Sequence, residues 1–134
     1  MLVRRGDRWL LSVRSAASAY APGTVGLIGG HLEVADHGLG VLEAAARREV
    51  FEETGVDLAG VPLTYLESVY VPDDREPQVS VTFLADAPAT AAATVSAPDE
   101  LAEVGWWTSA AVTADPRCPV WLPALLRRAE AVSR

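Results

Sequence analysis

The sequence has a single cysteine, Cys118, and only two histidines, His31 and His37. One thiol cannot close an intramolecular disulfide, and a lone buried or neutral thiol is its ordinary reading. Two scattered imidazoles and one thiol offer no zinc-ligand spacing, which excludes the usual zinc sites. No apolar run approaches the roughly eighteen residues of a membrane span, and the first residues lack a signal peptide's apolar core and small-residue cleavage site. A reducing, cytoplasmic setting is the expectation that follows. The chain opens directly on strand-like Leu2-Val3, as it would if a few native residues preceded it. Basic residues are also scarce, 11 Lys and Arg against 18 Asp and Glu for a net charge of −7. Nucleic acid polymers and anionic membranes are gripped by Lys and Arg clusters that neutralise phosphates, so neither is an expected partner. An enzyme handling a phosphorylated small molecule from such a surface would need a metal ion to meet it.

What is present suits one globular domain over residues 1–134, half of it hydrophobic and 22% charged, which is too apolar for a disordered chain and too short for two ordinary domains. Residues 2–5 and 8–14 are β-rich runs around Gly6-Asp7 and predict a hairpin. Residues 15–23, closing on Pro22-Gly23, predict a loop whose Tyr20 could stack on a base or serve as a packing lid. A short buried strand over 24–28 delivers Gly29-Gly30, where missing side chains permit close backbone approach. A helix follows over about 39–54, with Glu43 and Arg47 as a supporting i,i+4 pair. Residues 63–71 and 78–85 predict two strands joined by a charged turn; Asp73, Asp74 and Arg75 in it read as a solvated tip, with a substrate role for Arg75 as the alternative. The Ala-Thr-rich stretch 87–94 predicts a linker. Trp106 and Trp107 predict core positions on a strand, facing opposite sides. Residues 119–131 predict a helix with Leu122, Leu125, Leu126 and Ala129 as its apolar stripe.

Charge is concentrated in the run Arg48-Glu49-Val50-Phe51-Glu52-Glu53-Thr54-Gly55-Val56. On a helix, Glu49, Glu52 and Glu53 stand at i, i+3 and i+4, three carboxylates within one turn. Leu42, Ala45 and Ala46 project to the same side, so the acidic cluster continues the stripe that should pack inward. Gly55 is a natural left-handed terminator, which puts the glutamates at the negative end of the helix dipole. Two such charges ~4 Å apart repel by roughly 4 kcal/mol at an effective dielectric near 20. A divalent cation would remove that conflict, and ligation by oxygen alone suits Mg²⁺ or Mn²⁺. A solvated acidic helix end is the plain alternative for any short run of charge.

The flanking residues bear on that choice. From Gly29 to Val56 the chain resembles the Nudix box, whose pattern is Gly, five residues, Glu, seven residues, then Arg-Glu-aliphatic-x-Glu-Glu-x-Gly-aliphatic. Arg48, Glu49, Val50, Glu52, Glu53, Gly55 and Val56 match its second half, and Gly29-Gly30-His31-Leu32-Glu33 opens the first. The departure lies between Gly30 and Arg48, where 17 residues stand instead of thirteen and Gly40 occupies the place of the first Glu. In the family that Glu mostly partners the box arginine, a role open here to Asp36, Glu33 or Glu43.

The resemblance implies an α+β fold, a Nudix-type α/β/α sandwich with a mixed central sheet. It implies a metal-dependent hydrolase that cleaves the pyrophosphate bond of a nucleoside diphosphate linked to a moiety X. The substrate would be a nucleoside triphosphate, ADP-ribose or a nucleotide sugar, and the products a nucleoside monophosphate with phosphorylated X or pyrophosphate. Gly30, through its carbonyl, and Glu49, Glu52 and Glu53 would hold Mg²⁺ or Mn²⁺, and Arg48 would keep a box carboxylate in place. Glu100 or Glu103, from the acidic stretch before Trp106, would supply a further ligand or the general base, a role also open to a box glutamate. A homodimer through an exposed edge strand is a compatible assembly. The alternative function is a Nudix-like module that binds or senses a nucleotide without cleaving it.

Overall fold

The computed structural model describes residues 1–72 and 76–132. Asp73, Asp74 and Arg75, singled out above as a charged turn, lie outside the described residues. The elements run β1 (Leu2–Arg5), β2 (Arg8–Arg14), β3 (Val25–Gly26), α1 (Val41–Thr54), β4 (Leu63–Val71), β5 (Gln78–Asp86), β6 (Leu101–Thr108), α2 (Ser109–Ala114) and α3 (Leu122–Val132).

Strand β2 is the spine. Along one edge it pairs with β6 from Arg8 opposite Thr108 to Arg14 opposite Leu101. A strand has only two edges, so β1 and β3 share the other end to end, Val3 opposite Leu10 and Gly26 opposite Ser12. These pairs are antiparallel, whereas β1 runs parallel to β5, Leu2 opposite Leu84. Strand β4 closes the sheet antiparallel to β5. One parallel pair among antiparallel neighbours makes the sheet mixed, as expected.

The two-residue period of strand side chains sorts the core into two layers. Leu2, Trp9, Leu11, Val13 and Leu84 meet Val112 of α2 and Leu122, Leu125, Leu126 and Ala129 of α3. Val3, Leu10, Phe83 and Ala85 meet Val50 of α1, together with Ile28, Val56, Leu58 and Leu101. Helices on both faces of one sheet give the α/β/α sandwich. Trp107 packs on the first layer and Trp106 on the second, in keeping with adjacent strand positions. No helix among the described residues is long and apolar enough to cross a membrane.

Helix α1 departs from the expected stripe. Its buried positions are Ala45, Val50, Glu53 and Thr54, while Leu42 is 39% exposed; in the first turn, Leu42 precedes the first buried position. Arg47 does not pair with Glu43 but donates to the Leu58 carbonyl, tying the helix to the chain that follows it. The C-terminus is as anticipated: Gly55 has φ 72° and its N–H bonds to the Phe51 carbonyl. The 87–94 stretch is more than a linker, because Thr94 N–H donates to the Thr54 carbonyl and Ser96 N–H to the Glu53 carbonyl, both at 3.0 Å. Carbonyls that a helix end leaves without partners are thereby satisfied. Helix α2 was not anticipated; Thr108 caps it, its hydroxyl accepting from Ala111 N–H.

The stripe of α3 is the firmest part of the core, with Leu125 1% exposed. Leu125→Ala should cost about 2–5 kcal/mol by opening a cavity, whereas Leu39→Ala, at a fully exposed position, should stay within about 0.5 kcal/mol. Urea unfolding of the two variants measures both, and equal losses would contradict this layering.

Candidate active site

The acidic run meets the glycine loop where the end of α1 lies against the chain leaving β3. Glu53 is 5% exposed, and its Oε2 accepts the Gly29 N–H at 3.3 Å. Burial is the main force on this carboxyl and pushes its pKa up to about 7; the Gly29 bond and Arg14 oppose the rise, and Glu49 and Glu100 add to it. Glu49, one turn earlier, is largely buried. A Cβ at position 30 would stand 2.5 Å from the Glu49 carboxylate, so any other residue there would push the end of that side chain away from the loop.

Arg48 gathers the neighbouring acids. Its Nη1 donates to Asp36 Oδ1 at 2.7 Å, and its Nη2 to Glu49 Oε1 at 3.3 Å and to the His31 carbonyl at 3.4 Å. Glu33 Oε1 lies 3.8 Å from Nη2 and Glu52 Oε1 3.9 Å from Nε. Of the three acids that could stand in for the missing box Glu, the structure puts Asp36 in direct hydrogen-bond contact. The Glu33 N–H and then the Arg48 guanidinium hold its carboxyl below the usual carboxylate range. Gly40 enters the helix with φ 69°, a left-handed conformation that disfavours a glutamate there.

The three box glutamates are not brought together. Glu49 and Glu53 face the glycine loop, but Glu52 is 55% exposed and turned to Arg48. Among the described residues no three Asp, Glu, His or Cys side chains form a group that could hold a metal ion. The donors nonetheless fit a hard dication in kind: carboxylates and carbonyls only, with a glycine cradle against Glu49 that a side chain would fill.

An open cleft of about 250 Å³ adjoins Glu53, lined by Ser12, Arg14, Gly29, Asp99 and Glu100 among others. Glu100 therefore shares the cleft with Glu53. Glu103 does not line it; its carboxylate accepts from Arg117 Nη1 at 2.9 Å. The pairing of β2 with β6 slips between Val13 and Arg14, a bulge of the kind that re-aims side chains beside sites. Arg14, Ser12 and Asp99 escaped the sequence reading, although alternation along β2 from Leu10 would have aimed Ser12 and Arg14 at the face of α1. Tyr20, 64% exposed, stands beside Arg14, whose guanidinium carbon lies 5.4 Å from the ring centre. The histidines are spent elsewhere, His31 on Gln78 at 3.1 Å and His37 on the Ala35 carbonyl at 2.8 Å.

Known proteins share this fold. The NUDIX domain family profile matches residues 1–127. No curated protein sequence matches the chain significantly. Among solved structures, a MutT NUDIX hydrolase from Burkholderia pseudomallei is 28% identical, with a TM-score of 0.73 over 95% of this chain and 92% of that one. The NUDIX domain of Shewanella oneidensis NrtR, solved with ADP ribose, gives a TM-score of 0.78 at 22% identity over 99% and 84% of the two chains. A C. elegans Ap4A hydrolase gives 0.75 at 18% identity over 98% and 93%; these last two speak for the fold alone. The chain belongs to the Nudix family. It is an enzyme of the pyrophosphohydrolase type.

The raised pKa of Glu53 makes stability depend on pH. Between the ordinary value of 4.5 and about 7, the folded protein holds a proton that the unfolded chain has lost, so stability falls as pH rises through this window and is fully retained below it. With metal chelated, Glu53→Gln should raise stability by about 2 kcal/mol at pH 8 and leave it nearly unchanged at pH 4.5. Thermal melts across that range provide the check, and an equal effect at both ends would contradict the buried, proton-holding carboxyl.

Proposed function

We propose that this protein hydrolyses the pyrophosphate bond of a nucleoside diphosphate linked to a moiety X, with Mg²⁺ or Mn²⁺ as its cofactor. The observation that carries the reading is the buried Glu53 carboxylate held on the glycine loop, with Glu49 beside it and Glu100 on the same cleft. Glu49, Glu52 and Glu53, with the Gly30 carbonyl, would hold the dication. When bound, the dication neutralises diphosphate charge and lowers the pKa of a water.

The chain's own residues do the rest. Arg48, anchored on Asp36, fixes Glu49 and restrains Glu52. Proton removal from water falls to a box glutamate or to a glutamate of the 100–103 stretch, and of the latter Glu100 is the better placed, because it lines the cleft and Glu103 does not. The water oxygen bonds to one phosphorus as the bridging P–O bond breaks, and the electron pair leaves on the other phosphate. The products are a nucleoside monophosphate and phosphorylated X, or pyrophosphate when X supplies the two terminal phosphates. Nucleoside triphosphates, ADP-ribose and nucleotide sugars are the substrate classes to assay, ADP-ribose and Ap4A being named with fold relatives. The rival, a module that binds without cleaving, leans on the four-residue insertion and the missing box Glu; the Asp36–Arg48 contact weakens the second of these supports.

A magnesium and manganese screen over these classes should show metal-dependent release of nucleoside monophosphate. Glu52→Gln and Glu53→Gln should lower turnover on the order of 10³-fold, the scale of several kcal/mol of transition-state stabilisation. Gly30→Ala should leave the fold intact, since its Cβ meets only the flexible end of Glu49, yet shrink the rise in melting temperature that magnesium produces. Tight nucleotide binding with no metal-dependent release would favour the rival.

A further inference from the structure

The geometry points to Arg14 as the residue that grips a phosphoryl group of the substrate, with Tyr20 holding its guanidinium ready. This rests on the pyrophosphohydrolase reading and adds a contact outside the acidic run. The cleft beside Glu53 is lined by Glu53, Asp99 and Glu100, and among the described residues Arg14 is its only cationic lining. A diphosphate entering it meets three carboxylates, whose charge a metal ion would offset, and this one guanidinium.

Arg14 is available for that task. Among the described residues its side chain makes no hydrogen bond or ion pair, whereas Arg4 is committed to Asp86, Arg48 to Asp36, Arg117 to Asp115 and Arg128 to Glu67. Five N–H donors turned to a cleft, with no protein acceptor spent on them, suit a planar bidentate grip on phosphate. Its backbone is pinned, the Arg14 N–H donating to the Thr24 carbonyl at 3.0 Å and the Arg14 carbonyl accepting from Gly23 N–H at 3.1 Å. The side chain is steadied by Tyr20, its guanidinium carbon 5.4 Å from the ring centre, inside the roughly 6 Å reach of a cation–π contact. A fixed stem and a stacked head lower the entropy lost when phosphate binds.

The test is a kinetic split on whichever nucleotide the wild type cleaves in the screen above. Charge-assisted hydrogen bonds of about 1.5–3 kcal/mol translate into a KM raised roughly 10–100-fold in Arg14→Ala with kcat changed less than about threefold. Arg14→Lys keeps the charge but not the fork and should fall between. Tyr20→Ala should raise KM a few-fold and Tyr20→Phe should match the wild type. Melting temperatures of all four should stay near that of the wild type. If the wild type cleaves and Arg14→Ala leaves KM unchanged, the inference is overturned while the hydrolase reading stands. If the wild type cleaves nothing, the hydrolase reading falls, and calorimetry with ADP-ribose decides the inference: binding that Arg14→Ala abolishes supports it, and no binding by the wild type overturns it.

Discussion

Burying the Glu53 carboxylate against the Gly29 amide is the constraint around which the site is arranged. A carboxylate taken out of water costs free energy unless hydrogen bonds or a cation compensate, and here a single backbone N–H at 3.3 Å provides the bond. The rest of the end of α1 is built to keep the carboxylate there. Val50 and Val56 root the helix in one core layer, Gly55 turns the chain sharply, and the 94–96 segment satisfies the last carbonyls. Stability is thus given up at one residue and recovered from its neighbours, a pattern common where a residue's work needs a displaced pKa.

Arg48 handles the remaining charge. It links the helix to the loop that the four-residue insertion enlarges, and Asp36 of that loop is its nearest partner. The insertion and the glycine at position 40 therefore belong together. Once the chain enters the helix through a left-handed residue, a side-chain acid at that position is disfavoured, and the longer loop brings a carboxylate from elsewhere to the same guanidinium.

Much of this was legible beforehand, and the exceptions have physical causes. β-rich runs bounded by turn residues located β1, β2, β4 and β5 nearly to the residue, and helical periodicity named the buried stripe of α3, because burial on one face leaves a strong imprint. The resemblance to the Nudix box supplied the order of the layers, which periodicity does not encode. What could not be read was the fate of individual charges. Helical spacing groups Glu49, Glu52 and Glu53 within one turn, but it does not say which of them is buried, and Glu52 is left 55% exposed, 3.9 Å from Arg48. Glu100 and Glu103 look alike in sequence, and only the bulge and Arg117 separate them. Arg14 was passed over because a strand-end arginine looks ordinary until the cleft it lines is known, and α2 because a helix of six residues leaves hardly any period to detect.

The parallel pairing of β1 with β5 ties the start of the chain to a strand some eighty residues later. Contacts so far apart in sequence demand a large loop closure before they reward it. Strand β2, whose bulged end carries Arg14, gains its second partner only when β6 arrives. The cleft is consequently a property of the whole sheet: Arg14 and Glu100 reach it only when strands from both ends of the sequence are paired.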